Sequence, residues 1–301
     1  MWMDTKILLE SGTNELEVLE FVLDGYAYGI NVAKVKEITP YQETVPVPHS
    51  HESIEGIFMP RDRLITAIDL RNCLERGHSK PGGLYIVTNF NKLDIAFHVD
   101  AVRRIHKVSW ENIIKPGAEL FNEEESITTG IVKLEGRLVI ILDFEKIVTD
   151  INPETGLRIS EVEEMGPRRR NDVPILIAED SVLLNRLIVN CLKKAGYANL
   201  TRTYNGMEAY EYIMECKNQG TLMEDIKCII TDIEMPMMDG HRLIKLVKED
   251  PVAKGIPVII FSSLVNEEMK RKGESLGANA QLSKPEIGNL VRTIDELVGN
   301  A

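Results

Sequence analysis

Cysteine is scarce in this chain of 301 residues, which contains only Cys73, Cys191, Cys216 and Cys228. None of them belongs to a C-x-x-C pair, so neither a zinc site with the usual cysteine spacing nor a dithiol redox centre is indicated. Isolated thiols are typical of proteins that stay in a reducing compartment. We therefore expect a cytoplasmic protein whose chemistry does not depend on cysteine.

Positive charge and long apolar runs are also in short supply. Lysine and arginine number 35 against 47 acidic residues, which gives a net charge of -12. This balance argues against non-specific binding to nucleic acid or to anionic lipid. The longest apolar runs, such as residues 256–261, fall far short of the ~20 residues that a membrane span needs. The first residues lack a basic stretch followed by a long apolar core, so we expect no signal peptide and no insertion into a membrane.

The length favours two domains, because a domain typically has roughly 150 residues. The boundary is indicated by residues 156–171, which contain a Gly-Pro pair at 166–167 and runs of mixed charge. Such a composition favours an irregular, solvated linker, and we interpret the arginine triplet within it in the same way. We therefore predict one domain over residues 1–155, a linker over 156–171 and a second domain over 172–301.

An internal repeat organises the first half. Residues 56–70, GIFMPRDRLITAIDL, align without a gap with residues 130–144, GIVKLEGRLVIILDF. Upstream, the apolar pattern of residues 30–38 recurs at 97–105, and the Asp-Gly pair at 24–25 is a hairpin signal between two strand-like runs. Each repeat is short for a core of its own, so we expect two small β-barrels packed together.

The segment around Arg61 has two equally good interpretations on residue chemistry alone. Arg61 lies beside Asp62 and Arg63, so it fits either a turn with a local ion pair or a recognition surface. The surrounding elements are Tyr28-Gly29-Ile30, Val35-Lys36-Glu37-Ile38, Val45-Pro46, Glu55-Gly56-Ile57 and Ile68-Asp69-Leu70. Together with Arg61 they resemble the CheW-like coupling domain of bacterial chemotaxis over roughly residues 17–150.

The resemblance implies an all-β double SH3-like barrel that bridges chemoreceptor tips and a histidine kinase. The family's Asn-Leu-Arg-Gly turn corresponds here to Met59-Pro60-Arg61-Asp62. The arginine matches, so the family's receptor contact carries over to Arg61, whereas Asp62 replaces the glycine. Glu37 stands in the family's Val-x-Glu-Ile position and is a second candidate for partner binding.

The second half alternates short β-branched runs with helical periodicity, which predicts a doubly wound α/β fold. Polar side chains lie at the ends of the predicted strands: Glu179 and Asp180, then Asp232, then Ser262, then Lys284. In such a sheet the carboxyl ends of the strands border one crevice, so we expect these side chains to converge.

The expected cluster suits phosphoryl chemistry. Crowded carboxylates repel one another, and Mg²⁺, which prefers oxygen ligands, relieves that repulsion. A carboxylate can act as the nucleophile that forms an aspartyl phosphate, and Asp232, alone on the central strand, is the best candidate. Lys284 and Ser262 could each donate a hydrogen bond to a phosphoryl oxygen.

The pattern resembles the receiver domain of response regulators over about residues 172–299. The motifs that carry the resemblance are Ile-Thr-Asp-Ile-Glu-Met-Pro-Met-Met-Asp-Gly at 230–240 and Ser-Lys-Pro at 283–285. The resemblance implies a flavodoxin-like fold in which Asp232 accepts the phosphoryl group of a kinase phosphohistidine.

The receiver resemblance also implies a metal site. Glu179 and Asp180 would bind Mg²⁺ together with Asp232 and the backbone carbonyl of Glu234. Two positions depart from the usual pattern: Glu179 replaces the first aspartate of the acidic pair, and Gln281 replaces the aromatic switch residue.

A CheW-like domain followed by a receiver domain resembles the CheV family. The resemblance implies a cytoplasmic, non-enzymatic chemotaxis adaptor, recruited to receptor arrays at the inner face of the membrane. It would couple transmembrane chemoreceptors to the CheA histidine kinase, and phosphorylation of Asp232 would adjust that coupling. One alternative is an aspartate-nucleophile phosphatase, in which Glu234, two residues after Asp232, would serve as acid and base.

Overall fold

The computed structural model describes residues 15–90, 93–114, 126–153, 157–158, 160–166, 168–263 and 267–299. Within these ranges the N-terminal half contains the strands β1 (Glu15–Leu23), β2 (Tyr26–Asn31), β3 (Val35–Pro40), β4 (Ile54–Phe58), β5 (Ile65–Ile68), β6 (Leu84–Phe90), β7 (Leu93–Val99), β8 (Ala101–Ser109), β9 (Thr128–Leu134) and β10 (Arg137–Leu142). Its helices are α1 (Leu70–Cys73) and α2 (Phe144–Ile151).

The ten strands form two five-stranded sheets with equivalent topology. Their orders are β8-β1-β2-β10-β9 and β3-β6-β7-β5-β4. The first five strands of the chain correspond one by one to the second five, so the predicted repeat is confirmed. However, each sheet takes two strands from one repeat and three from the other. The repeats therefore exchange strands, and neither forms a sheet by itself.

Local sequence explains the repeated hairpins and helix starts. Asp24 and Gly25 have positive φ angles of 54° and 78°, as a two-residue turn with the twist of the flanking strands requires. The repeated aspartates begin equivalent helices: Asp69 accepts a hydrogen bond from the Asn72 amide, and Asp143 from the Lys146 amide. Such caps satisfy amide groups that have no partner within the helix.

An apolar core joins the two sheets and fixes α2 against them. The rings of Phe21 on β1, Phe97 on β7 and Phe144 on α2 are fully buried. The ring centroids of Phe97 and Phe144 lie 4.6 Å apart in an edge-to-face contact, a favourable geometry for aromatic pairs. Helix α2 thus has a defined position at the end of the second repeat.

The C-terminal half is a parallel α/β sheet, as predicted. The strands are β11 (Ile175–Ala178), β12 (Leu200–Thr203), β13 (Cys228–Thr231), β14 (Val258–Ser262) and β15 (Ala280–Ser283), in the order β12-β11-β13-β14-β15. The helices are α3 (Ser160–Glu163), α4 (Val182–Lys194), α5 (Gly206–Gln219), α6 (Leu222–Asp225), α7 (Gly240–Glu249), α8 (Glu267–Leu276) and α9 (Ile287–Gly299). Apolar clusters on both faces of the sheet cover strands that are buried along their length. No helix in the described ranges has the length and apolarity to cross a bilayer.

The described part of the predicted linker is irregular and exposed at Arg169 and Arg170, but the expectation is wrong for the segment before them. Ser160–Glu163 form helix α3, and Val162 is buried in the cluster that includes residues of α4 and α9. Arg168, the first residue of the triplet, forms an ion pair with Asp295. The boundaries of the domains remain a prediction, and Pro167 lies outside the described residues.

Candidate functional site

The carboxyl ends of the parallel strands bring three acidic side chains together. Glu179 and Asp180 follow β11, and Asp232 follows the adjacent strand β13. One carboxylate oxygen from each lies within 4.8 Å of the others. Glu179 and Asp232 are buried, whereas Asp180 is half-buried. The three side chains among the four predicted metal ligands are therefore neighbours at one edge of the sheet.

Lys284, which follows β15, completes this cluster. Its Nζ lies 2.8 Å from Asp232 Oδ2 and 3.0 Å from Glu179 Oε2. The other carboxylate oxygen of Asp232 accepts a hydrogen bond of 2.6 Å from the backbone amide of Ile233. One carboxylate oxygen of Asp232 thus binds the backbone, and the other binds the Lys284 ammonium, which could move to a phosphoryl group.

A close backbone approach explains one glycine of the motif. A Cβ atom on Gly240 would lie only 1.9 Å from the carbonyl oxygen of Asp232. The Gly240 amide also donates to the Ile233 carbonyl. The loop after Asp232 can therefore fold back beneath the start of α7 only when this position lacks a side chain.

The electrostatics of the cluster follow from burial and crowding. Burial raises the pKa of Glu179 well above its ordinary value, and the neighbouring Asp232 raises it further against the opposing effect of Lys284. Burial alone would lower the pKa of Lys284, but Asp232 and Glu179 outweigh it, so that pKa is raised. The site therefore keeps Lys284 charged and disfavours full ionisation of its crowded carboxyl groups, which a further cation would relieve.

The donor set fits Mg²⁺. The three side chains offer hard carboxylate oxygens to one point, and half-buried Asp180 leaves one side of the cluster open for water ligands. Mg²⁺ binds hard oxygen ligands and usually retains several waters, so one or two of these carboxylates with waters could complete its coordination. The role of the Glu234 backbone carbonyl stays a prediction.

Ser262, the predicted phosphoryl-binding hydroxyl, ends β14 and is buried at the same edge. Its carbonyl accepts a hydrogen bond of 3.2 Å from the Lys284 amide, which ties the two predicted residues together. The loop residues 264–266, where we expect a response to phosphorylation, lie outside the described residues. Gln281, which replaces the aromatic switch residue, is on β15.

Residues of the N-terminal half reach this site, which the sequence did not indicate. Glu145 of α2 accepts a hydrogen bond from the hydroxyl of Ser263, and its Oε2 lies 4.0 Å from Lys284 Nζ. Lys34, which ends the turn before β3, lies 2.9 Å from Glu145 Oε1 and 2.7 Å from Glu234 Oε2. Asn31 also donates to Glu234. Only the tertiary fold places these residues beside Asp232, so no local pattern could have revealed them.

The charges at this contact depend on one another. Burial alone would raise the pKa of Glu145, but Lys34 and Lys284 lower it to about 2. Burial raises the pKa of Glu234, an effect that Lys34 opposes and Glu145 reinforces. Burial alone would lower the pKa of Lys34, yet the two carboxylates raise it. Lys34 therefore neutralises a pair of carboxylates that would otherwise repel each other.

Comparison with known families identifies both halves. The CheW-like domain family matches residues 17–152, and the response regulator receiver domain family matches residues 175–295. The chain carries a CheW-like domain and a receiver domain. The predicted fold class, a β domain with two sheets followed by a flavodoxin-like α/β domain, is thereby confirmed.

Two relatives match along nearly the whole chain and a third along half of it. Chemotaxis protein CheV3 of Helicobacter pylori is 28% identical and covers 95% of this chain and 95% of its own. CheV2 of the same organism is 27% identical over 91% of this chain and 92% of its own. Chemotaxis protein CheW of Thermotoga maritima is 28% identical over 50% of this chain and 98% of its own. The predicted resemblance to the CheV family is confirmed.

The predicted partner-binding residues of the CheW-like domain are neighbours on its surface. Arg61 lies in a turn after β4, its side chain is 75% exposed, and its Nη1 is 4.0 Å from Glu37 Oε2. Glu37, on β3, also forms an ion pair with Arg63. Arg61 and Asp62 have positive φ angles of 51° and 62°; Asp62 thus adopts a conformation that its family's glycine would favour. Both earlier interpretations of Arg61, a local ion pair and an exposed recognition residue, are compatible with this geometry.

The position of Glu234 does not favour the phosphatase alternative. An acid and base in that mechanism must reach the reacting oxygen. The Glu234 carboxylate instead binds Lys34 and Asn31 of the CheW-like domain.

Proposed function

We propose that this chain is a chemotaxis adaptor, located in the cytoplasm and recruited to receptor arrays at the inner face of the membrane. Its CheW-like domain couples the cytoplasmic tips of transmembrane chemoreceptors to the CheA histidine kinase. The similarity to CheV and CheW chemotaxis proteins supports this function. The exposed Arg61 beside Glu37 supplies a charged surface suited to a protein partner.

We further propose that phosphorylation of Asp232 adjusts the coupling. The observation that carries this proposal is the contact of Lys284 with the Asp232 carboxylate at the end of the central strand. A carboxylate oxygen of Asp232 attacks the phosphorus of a kinase phosphohistidine, and the phosphorus–nitrogen bond breaks. The electron pair of the broken bond goes to the imidazole nitrogen of the kinase histidine. That nitrogen takes up a proton, or keeps the lone pair when the other ring nitrogen already carries a proton, so a neutral imidazole leaves.

The other predicted residues have supporting roles in this step. Mg²⁺ held by Glu179, Asp180 and Asp232, with the Glu234 carbonyl, would offset the charge of the incoming phosphoryl group. Lys284 and Ser262 donate hydrogen bonds to phosphoryl oxygens, each worth roughly 1.5–3 kcal/mol for a charged acceptor. Such energies suffice to shift a two-state equilibrium about tenfold or more per bond.

Phosphotransfer from radiolabelled CheA tests the site. The Asp232→Asn variant should accept no label, because it lacks the nucleophilic carboxylate, and EDTA should abolish labelling of the wild type. Asp172→Asn is a matched control, since it removes an exposed aspartate whose ion pair is with Arg170, and it should be labelled normally. Labelling should stop at one phosphoryl group per chain, whereas a phosphatase would turn over a small phosphate ester repeatedly. Normal labelling of Asp232→Asn would disprove the assignment.

A further inference from the structure

We propose that the CheW-like domain docks over the phosphorylation site of its own receiver domain and that a phosphoryl group on Asp232 displaces it. This inference concerns the regulation of the proposed site and rests on the proposed role of Asp232. It makes the phosphorylation site an interaction surface whose partner is the other half of the same chain.

The first observation is that the two domains share the cation of the site. Lys284 Nζ lies 2.8 Å from Asp232 Oδ2 and 4.0 Å from Glu145 Oε2. The same Glu145 carboxylate accepts a hydrogen bond from Ser263, which follows β14 directly. An acidic side chain of the CheW-like domain therefore lies where the receiver offers an ammonium and a hydroxyl to an anion.

The second observation is a set of charges on the other side of Glu145. Lys34 bridges Glu145 and Glu234 at 2.9 Å and 2.7 Å, and Asn31 donates to Glu234. The side chains of Lys34, Glu145 and Glu234 are 10%, 19% and 14% exposed. Ion pairs with little solvent depend strongly on each member being present, because removal of one leaves an uncompensated charge. A change in the charge of any one of these groups should therefore destabilise the docked arrangement of the two domains.

Phosphorylation changes that charge at the critical point. The acyl phosphate carries about -1.5 to -2 charges where the Asp232 carboxylate carried one, and it brings three strong acceptor oxygens. It would compete with Glu145 for Lys284, since charge-assisted hydrogen bonds to phosphoryl oxygens are strong, and it would repel the Glu145 carboxylate. A cavity of about 210 Å³ lies between the domains and is lined by Glu145, Lys34, Asp232 and Lys284. The new group would enter this shared space.

The competition must act in both directions. If docking weakens the binding of a phosphoryl group by some factor, the phosphoryl group weakens docking by the same factor. This reciprocity permits a test with beryllofluoride and Mg²⁺, a non-covalent phosphoryl mimic, whose binding can be followed by fluorine NMR. Docking can be followed by hydrogen exchange of the amides of residues 31–35 and 143–147 in the full chain.

The informative variant is Lys34→Gln. Loss of a nearby positive charge would by itself weaken the binding of an anion, whereas loss of docking would strengthen it. We expect Lys34→Gln to bind beryllofluoride at least about fivefold more tightly than the wild type. Amide hydrogen exchange at both segments should already be faster than in the wild type before beryllofluoride is added. In the wild type, exchange at both segments should rise when beryllofluoride is added. Glu145→Gln should also bind more tightly, but loss of a negative charge would do this by itself, so the readout for this variant is hydrogen exchange at residues 31–35, which should be faster than in the wild type before beryllofluoride is added.

Lys36→Gln is the matched control. Lys36 lies two residues from Lys34, but it pairs with Asp94 within its own sheet, so its substitution should leave binding and exchange as in the wild type. The docking proposal would be overturned if Lys34→Gln bound beryllofluoride equally or more weakly and if amide exchange in the wild type did not change on its addition. The proposed role of Asp232 would still stand. Absence of binding in every variant would overturn the role of Asp232 and docking with it.

Discussion

At the residue scale, the arginine that recurs in the repeat has the same task in both copies. Arg63 binds Glu37 and Asp94, and Arg137 binds the buried Glu20. The repeat predicted that these arginines are equivalent, but it did not predict their partners. Asp94, on β7, and Glu20, on β1, lie on strands of the other repeat from their arginines, and only the exchange of strands between sheets brings these pairs together.

Glu20 makes the CheW-like domain sensitive to acid. Burial alone would raise its pKa, but hydrogen bonds from Arg137, His106 and Arg103 lower it from 4.5 to about 2. Since the folded state holds the ionised form, the stabilisation is complete above pH 4.5 and is lost as the pH falls towards 2. The loss is on the order of 3 kcal/mol, at about 1.4 kcal/mol per pKa unit.

We therefore expect urea unfolding of the CheW-like domain to lose stability through that pH range in the wild type. Glu20→Gln should be less stable at pH 7 and should show a flatter dependence on pH. Glu43→Gln, at an exposed position, should keep the wild-type slope. An unchanged slope in Glu20→Gln would contradict the role of this carboxylate.

At the scale of elements, the two domains differed in how far sequence could predict them. Parallel strands place their carboxyl ends at one edge, so the order of Glu179, Asp232 and Lys284 along the chain was enough to predict the cluster. A strand of an antiparallel sheet can pair with a strand near to it or distant from it in the chain. The repeated sequence contained no signal that the two repeats exchange strands. Helix α3 was missed because Val162 is a single apolar residue among charges, and its burial depends on α4 and α9.

The start of helix α2 offers a test that links an element to the site. Asp143 caps this helix through a hydrogen bond of 2.9 Å from the Lys146 amide, and Glu145 lies in its first turn. Asp143→Ala should cost about 1 kcal/mol in the unfolding of the CheW-like domain. It should also loosen Glu145, so that exchange at residues 143–147 rises. Asp143→Ser preserves a capping oxygen and should retain most of the stability; equal losses in both variants would show that capping is not the cause.

At the scale of the whole molecule, the docking contact and the proposed coupling surface lie on one stretch of chain. Lys34 ends the turn that leads into β3, and Glu37 on β3 is three residues further on, where it faces Arg61 and Arg63. Sequence reasoning identified the two functional halves separately, because each has its own motifs. It could not predict their contact, since the charges of that contact are ordinary surface residues until the domains pack.

This proximity raises the question of whether the two surfaces are separable, and Arg61→Glu answers it. The substitution reverses an exposed charge beside Glu37, so we expect binding to reconstituted receptor arrays to fall about tenfold or more, as for a residue central to an interface. The domain should remain folded, because a surface substitution of this kind usually changes stability by less than about 0.5 kcal/mol. The variant should still accept a phosphoryl group from CheA at Asp232, because the ion pair of Arg61 is with Glu37 of its own domain. Lys80→Glu, at another exposed position of the same domain, should bind the arrays normally. Wild-type binding by Arg61→Glu would place the coupling surface elsewhere, and loss of phosphorylation in the same variant would show that the two surfaces form one unit.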